Sequence, residues 1–279
     1  MSAQGFLRIT RPVNAIVAGI AAIVAYLIAT GTEIPAAALL FVIVALITAA
    51  GNVINDYFDA DIDAVNRPDR PIPAGSVRRE SAKRFAGILF VAGVFVSLFT
   101  TPLCIAIALF NSLILFAYAA RLKKLPLVGN VAVSYLSASM FLFGGALNGV
   151  ESMVHVLPIA AITFFAILAR ELLKAAEDVE GDRQGGADTL PVRLGIPPTV
   201  RLAFFCAGLA VVISIMPYFW WGSWYLAGIF IVDVIIMIAA SVSVMCRTPE
   251  CVKASKASAI LKAGFFASLI VFALSAVFL

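Results

Sequence analysis

Nine stretches of this chain are too long and too apolar to be the interior of a water-soluble domain. They run approximately 13–30, 36–58, 84–101, 103–120, 127–147, 154–176, 200–218, 224–246 and 259–278. Each approaches the ~20 residues that cross a hydrocarbon core. Continuous runs of this length form helices, because a membrane barrel would show short alternating segments instead. Turn formers separate them: Gly31 and Pro35, Thr101 and Pro102, Pro126, Asn148 and Gly149, Pro197 and Pro198, Trp221 and Gly222, and Pro249. Composition agrees, with 62% hydrophobic and 13% charged residues, against roughly 25% charged in ordinary soluble domains. The expected fold is an all-α integral membrane protein, nine transmembrane helices in one bundle forming a single domain over 1–279. The first residues run directly into the first span without the pattern of a cleavable signal.

The basic residues test that count. With the N-terminus inside, the inner segments hold Arg8 and Arg11, then Arg67, Arg70, Arg78, Arg79, Lys83 and Arg84, then Arg121, Lys123 and Lys124. The remainder are Arg170, Lys174, Arg183, Arg193 and Arg201, then Arg247, Lys253, Lys256 and Lys262. That is all 20 Lys and Arg, and none falls in an outer loop, as the positive-inside rule requires. The C-terminus is then outside. Trp220, Trp221, Trp224, Tyr218 and Tyr225 fall at an outer boundary, where amphipathic rings collect. The net charge of +4 follows from topology and points to no nucleic-acid partner. His155 is the single histidine and lies on the outer side, away from the other polar groups. Cys104, Cys206, Cys246 and Cys251 show no CxxC spacing and no neighbouring histidine, which excludes zinc. Free, mostly buried thiols are expected.

Two inner loops are long and polar, about 59–83 and 177–199. The first follows the second span in the stretch NVINDYFDADIDAVNRPDRPIPAG, with Asp56, Asp59, Asp61 and Asp63 within eight residues. The second follows the sixth span in a stretch that begins ARELLKAAEDVEGD and leads through GADTLPVRLG. Asp59 and Asp63 precede RPIPAG as Asp178 and Asp182 precede TLPVRLG, at an offset of 119 residues. This is a weak internal duplication, each half contributing one acidic helix end and one polar loop.

Residues four apart share a helix face, so Asn55, Asp59 and Asp63 form a stripe that Asp56 joins from the adjacent ridge. Asp178 and Asp182 form another, with Lys174 one turn earlier. Asp61, Asp69, Glu80, Glu180 and Asp188 read as solvated residues at helix ends. Carboxylate and amide oxygens without Cys or His suit Mg²⁺, which keeps several waters and bridges one or two carboxylates to substrate phosphate. Arg67, Arg70, Lys123 and Lys174 are placed to take remaining phosphate charge. Asp233 lies mid-span, where a charge is costly; a protonated acid, a pair inside the bundle and a cavity group all fit it.

NDYFDADID resembles the NDxxDxxxD signature of the UbiA superfamily of intramembrane prenyltransferases. EDVEGD is similar to that family's second motif, and YAARLK, from Tyr118 to Lys123, to its Tyr–Lys element. The resemblance covers nearly the whole chain. NRPDRPIPAGSV, GNVAVSYLSASMFLFGGA and RELLKAAEDVEGD resemble its archaeal branch acting on glycerol phosphate lipids; Ala175 departs by replacing an acid. The resemblance implies a bundle around a central cavity. It implies that Asn55, Asp56, Asp59, Asp63, Asp178 and Asp182 bind Mg²⁺ and a prenyl diphosphate. Lys123, Tyr118, Arg67 and Lys174 would contact the diphosphate or stabilise the leaving group. Arg11, Asn14 and Asn130 would line the polar end of the cavity, and Arg11, Arg70 and Lys124 are candidates for an acceptor phosphate.

The expected activity is Mg²⁺-dependent transfer of a geranylgeranyl group from geranylgeranyl diphosphate to the free glycerol hydroxyl of geranylgeranylglyceryl phosphate. It forms an archaeal diether lipid at the cytoplasmic side of the cell membrane, with no obligate protein partner. Gly144, Gly145, Ala146, Ser137 and Ser139 either leave room for the isoprenoid tail or pack helices closely. An aromatic acceptor, as in quinone biosynthesis, is the alternative. A cation transporter is more distant, because the acids gather at one face.

Overall fold

The computed structural model describes residues 2–278, and among them all regular structure is helical. In chain order the helices are α1 (Ala3–Ile9), α2 (Pro12–Ile28), α3 (Ile34–Phe58), α4 (Ala60–Asn66), α5 (Arg79–Ser97), α6 (Pro102–Ala120) and α7 (Val128–Leu147). They continue as α8 (Val150–His155), α9 (Leu157–Glu177), α10 (Val179–Gln184), α11 (Leu190–Leu194), α12 (Ile196–Ile213), α13 (Tyr218–Val244), α14 (Pro249–Ser255) and α15 (Ala257–Phe278). A single 3₁₀ turn covers Leu122–Lys124. Each of the nine apolar runs is a helix, and prolines open many of them at the first turn, where a missing N–H costs nothing.

Among the described residues six helices are long and apolar enough to cross a membrane, or seven if α1 and α2, bent by 47°, count as one span. α5 and α9 fall outside that set because their ends carry charge: Arg79, Glu80, Lys83 and Arg84 on one, Arg170, Glu171, Lys174 and Glu177 on the other.

The chain forms two compact units, residues 1–121 with 143–154, and residues 122–142 with 155–279. In the first, α3 packs against α2, α5 and α6. Leu40, Ile43, Val44 and Ile47 of α3 form one apolar cluster with Ala22, Tyr26 and Phe143. Val53 and Ile54, nearer its end, form a second with Ile9, Val77 and Ala82. Small residues set the spacing. A Cβ on Gly144 would stand 2.6 Å from the backbone of Ala25 and Tyr26, so α7 touches α2 backbone to backbone. Ala146 and Ser139 are fully buried. Close packing, rather than space for a tail, accounts for Gly144.

In the second unit α9 packs against α12 and α15, and α13 packs against α15. Leu172, Leu173 and Ala176 of α9 lie at the centre of its core with Val200, Ala203, Ala207 and Ala240. Two sequence expectations change here. Cys246 and Cys251 are disulfide-bonded rather than free. The turn between α13 and α14 brings their Cα atoms to 5.4 Å, within bridging range. The Thr248 hydroxyl fixes that turn by accepting from the Cys251 N–H at 3.3 Å. Cys104 and Cys206 are free and buried as expected. Tyr225 is not a boundary ring: it is 1% exposed, and its hydroxyl donates to the Ser214 carbonyl at 2.8 Å. Trp224 points outward at 82% exposure, and α13 breaks between Trp221 and Ser223 at Gly222, whose φ is +67°.

Candidate active site

The acidic stripe of the first unit sits on a joint. α3 stops at Phe58, Asp59 takes φ −87° and ψ 1°, and α4 resumes at Ala60. The Asp63 N–H still donates to the Asp59 carbonyl at 2.8 Å, so the four-residue register survives the joint. Asn55 Nδ2 donates to Asp59 Oδ2 at 2.8 Å, holding that carboxylate over the last turn of α3.

Asp56 and Asp63 are 3% and 6% exposed. Buried carboxylates of one sign need cationic partners, and two arginines supply them. Arg11 Nη2 donates to Asp56 Oδ1 at 2.5 Å. Arg70 Nη1 donates to Asp56 Oδ1 at 3.1 Å and to Asp63 Oδ2 at 2.5 Å. The four side chains form a neutral set. Arg11 stands at the break between α1 and α2 with left-handed backbone, φ 49°. Asn52, which sequence reasoning passed over, donates Nδ2 to the Thr10 carbonyl at 2.9 Å and ties α3 to that break. Arg70 belongs to an ordered loop: Ala74 N–H donates to the Arg70 carbonyl, Val77 N–H to the Pro71 carbonyl, and Ser76 Oγ to the Pro71 carbonyl at 2.9 Å. The prolines and Gly75, with φ +71°, build that turn.

Arg67 and Asn14 are exposed, and Tyr118 is half-buried on α6. Asp61 and Asp69 lie at the surface, paired with Arg79 at 3.1 Å and Arg8 at 3.2 Å; their assignment as solvated residues holds.

The second unit repeats the joint. α9 stops at Glu177, Asp178 takes φ −98° and ψ 6°, and α10 resumes at Val179. Asp182 N–H donates to the Asp178 carbonyl at 3.0 Å. Lys174 Nζ donates to Asp178 Oδ1 at 2.9 Å and to Glu177 Oε2 at 3.2 Å. Glu177 in turn accepts from Ser258 Oγ at 2.5 Å, which links this joint to α15. Thr189 Oγ1 donates to Asp182 Oδ2 at 3.0 Å. Burial raises the Asp182 carboxyl above the usual range, nearby Asp178 adds to that, and the Thr189 hydrogen bond and Lys174 oppose it.

The turn bearing Lys123 and Lys124 is attached to the same loop, because the Asp188 N–H donates to the Lys124 carbonyl at 3.0 Å. Asn130 Nδ2 donates to the Glu171 carbonyl at 3.2 Å, so in this structure it holds α9. Glu177, Thr189 and Ser258 were missed by sequence reasoning. Glu177 and Thr189 are the first residues of the quoted EDVEGD and TLPVRLG; Ser258 carries no local signal.

The donor set fits Mg²⁺. Among the described residues no three His, Cys, Asp or Glu side chains are grouped to hold a metal unaided. Each joint instead offers one or two hard oxygen ligands, the number Mg²⁺ takes from protein when phosphate and water complete its octahedron.

Comparison with known proteins gives this arrangement its context. The model of the UbiA prenyltransferase family matches residues 18–276. The chain belongs to the UbiA prenyltransferase family. It is thus a prenyltransferase and a multi-pass membrane protein. Digeranylgeranylglyceryl phosphate synthase of Methanoregula boonei is 60% identical over 279 residues, covering 100% of both chains. That of Methanoculleus marisnigri is 56% identical, covering 99% of this chain and 100% of its own. A solved structure described as a digeranylgeranylglyceryl phosphate synthase aligns with TM-score 0.88 and 36% identity over 99% of both chains. A UbiA homologue from Archaeoglobus fulgidus, solved with DMAPP and Mg²⁺, shares the fold at TM-score 0.70 and 16% identity, over 94% of this chain and 98% of its own.

Proposed function

We propose that the protein transfers a geranylgeranyl group from geranylgeranyl diphosphate to the free glycerol hydroxyl of geranylgeranylglyceryl phosphate. The observation that carries the choice of substrates is full-length identity of 60% to a synthase named for that product. The Asp-bearing joints at Asp59 and Asp178 support the diphosphate chemistry. In this reading the chain is a single domain, nine helices span the membrane with the N-terminus inside, and the Asp-bearing joints act in diphosphate chemistry at the cytoplasmic side.

Asn55, Asp56, Asp59, Asp63, Asp178 and Asp182 are the proposed Mg²⁺ ligands, directly or through water. Bound there, Mg²⁺ supplies neutralisation of the negative charge that develops on the departing diphosphate. The chain's own residues do the rest. Arg67, Lys123 and Lys174 hold phosphate oxygens, and the Tyr118 hydroxyl donates to the leaving group. Lys174 already stands between two carboxylates, and it exchanges one of them for phosphate when substrate binds. Arg70 and Arg11 neutralise Asp56 and Asp63 without substrate and exchange partners when diphosphate arrives; Arg11, Arg70 and Lys124 also hold the acceptor phosphate. Asn14 and Asn130 line the polar end of the cavity. The allylic C1–O bond breaks, the electron pair leaves with diphosphate, and apolar walls exclude water from the cation. The glycerol oxygen forms the new C–O bond, and its proton passes to a carboxylate or to the released diphosphate.

The test is an incubation of purified protein with labelled geranylgeranyl diphosphate, Mg²⁺ and geranylgeranylglyceryl phosphate, with products identified by mass spectrometry. A diether phosphate is expected. Prenylation of an aromatic acceptor alone would place the enzyme in another branch, and absence of diphosphate release would sink the transferase reading. Asp59→Asn and Asp182→Asn each abolish turnover with the fold intact; activity in both refutes the metal assignment.

A further inference from the structure

Lys174 holds two carboxylates whose surroundings differ. At about 100° per residue, Glu177 lies some 60° to one side of Lys174 on α9, and Asp178 about 40° to the other. The first side leads round the helix to Leu173, which is fully buried in the core of the second unit. The second leads away from it. The side chain of Glu177 is accordingly 9% exposed and that of Asp178 53%.

Both oxygens of Glu177 are taken. Oε1 accepts from the Ser258 hydroxyl at 2.5 Å and Oε2 from Lys174 Nζ at 3.2 Å. Ser258 is itself 7% exposed and lies in the first turn of α15. Lys256, with left-handed φ of 53°, turns the chain from α14 into α15. α14 and α15 both pack against α9, and this corner sets the Ser258 hydroxyl against the end of that helix. A hydroxyl has one proton to give, so it fixes one carboxylate oxygen and leaves the other to Nζ.

The two ion pairs of Lys174 therefore differ in what breaking them entails. Leaving Glu177 would strand a buried carboxylate without its cation, which is strongly unfavourable. Asp178 is open to water, and water replaces Lys174 there at little cost. An ammonium has three donors. One stays on Glu177 while the one released by Asp178 turns to a phosphate oxygen, and Asp178 is left uncovered.

Resting on the reading of Lys174 as a phosphate contact, we propose that Glu177 and Ser258 are positioning residues of the diphosphate site. The Ser258 hydroxyl fixes Glu177, and Glu177 keeps Lys174 while Lys174 exchanges Asp178 for phosphate.

Titration of the full chain in lipid nanodiscs with geranylgeranyl thiolodiphosphate and Mg²⁺ tests this, because the C–S bond resists cleavage and affinity is read without turnover. Without the hydroxyl, the Glu177 carboxylate draws Lys174 onto both oxygens. Ser258→Ala is expected to weaken binding about fivefold, within the range of one hydrogen bond, and Ser258→Thr to restore it. In a Lys174→Met background, Ser258→Ala is expected to have no further effect. In turnover, Ser258→Ala raises KM for geranylgeranyl diphosphate more than it lowers kcat. A role confined to pinning α15 onto α9 would lower the thermal midpoint and leave affinity alone. Glu177→Gln decides should Ser258→Ala not fold. Loss of a negative charge by itself tightens an anion, so weaker binding reports a displaced Lys174. Unchanged affinity in Ser258→Ala, an equal loss with and without Lys174, or tighter binding in Glu177→Gln overturns the inference. Affinity unchanged in Lys174→Met alone refutes the phosphate contact and the inference with it. A loss in Lys174→Met with none in Ser258→Ala leaves the contact standing and removes only the positioning roles.

Discussion

Arg70 illustrates how individual residues of the first joint depend on one another. It bridges Asp56 and Asp63, so Arg70→Ala leaves buried carboxylate without its counter-charge. Removing one partner of a buried pair costs about 3–5 kcal/mol. The expected outcome is a marked fall in thermal midpoint, largely restored in Arg70→Ala with Asp63→Asn; a midpoint unchanged in the single variant contradicts the pairing. Asp182 gives the second joint a signature in pH. Burial raises its carboxyl, so it protonates at higher pH than an ordinary aspartate and loses its proposed metal-binding capacity there. At subsaturating Mg²⁺, turnover falls on the acid side earlier than an ordinary carboxylate predicts. Thr189→Val removes a hydrogen bond that favours the ionised form and moves this limb to higher pH. A limb that stays in place, or moves lower, contradicts the role of Thr189. The sequence marked both aspartates through their four-residue spacing. It did not mark Thr189 or Ser258, because their partners lie across a loop or on another helix and no periodicity reports such contacts.

At the scale of elements, the nine apolar runs were legible because lipid demands long helices whose backbone groups are satisfied internally. The joints were less so. Spacing implied unbroken helix through Asp59 and Asp178, whereas the structure ends one helix and begins another at each, with the register retained. The Cys246–Cys251 bridge was missed because a five-residue separation says little about geometry until the turn at Thr248 is known. Glycines show how context decides a helix residue. Gly144→Ala places a Cβ against the backbone of α2 and lowers the thermal midpoint. Gly87→Ala in α5 meets nothing within 4 Å and gains helix propensity of about 1 kcal/mol, so it raises the midpoint or leaves it unchanged. Two variants of one substitution type moving in the same direction argue against close approach of α7 to α2.

For the whole molecule, the asymmetry of Lys and Arg orients the proposed nine spans. Cysteines introduced at Gly149 and Arg183, with the four natural ones replaced, test it with a membrane-impermeant maleimide. The Arg183→Cys chain reacts only in inside-out vesicles and the Gly149→Cys chain only in right-side-out ones; the reverse pattern overturns the orientation. The acidic motifs lie 119 residues apart, and each unit carries a joint of the same construction. What the two halves share is therefore a way of ending an apolar helix on a carboxylate, more than any run of identical residues.

Position 11 shows how little freedom such a protein leaves some of its letters. A left-handed backbone costs an ordinary side chain roughly 1–2 kcal/mol and suits glycine or asparagine. The contact with Asp56 asks instead for a long cationic side chain with a fork of donors. Glycine and asparagine meet the first demand and cannot reach the carboxylate. Lysine carries the backbone cost as arginine does but lacks the fork. Drift at this position therefore has almost nowhere to go, for reasons of geometry and charge acting together.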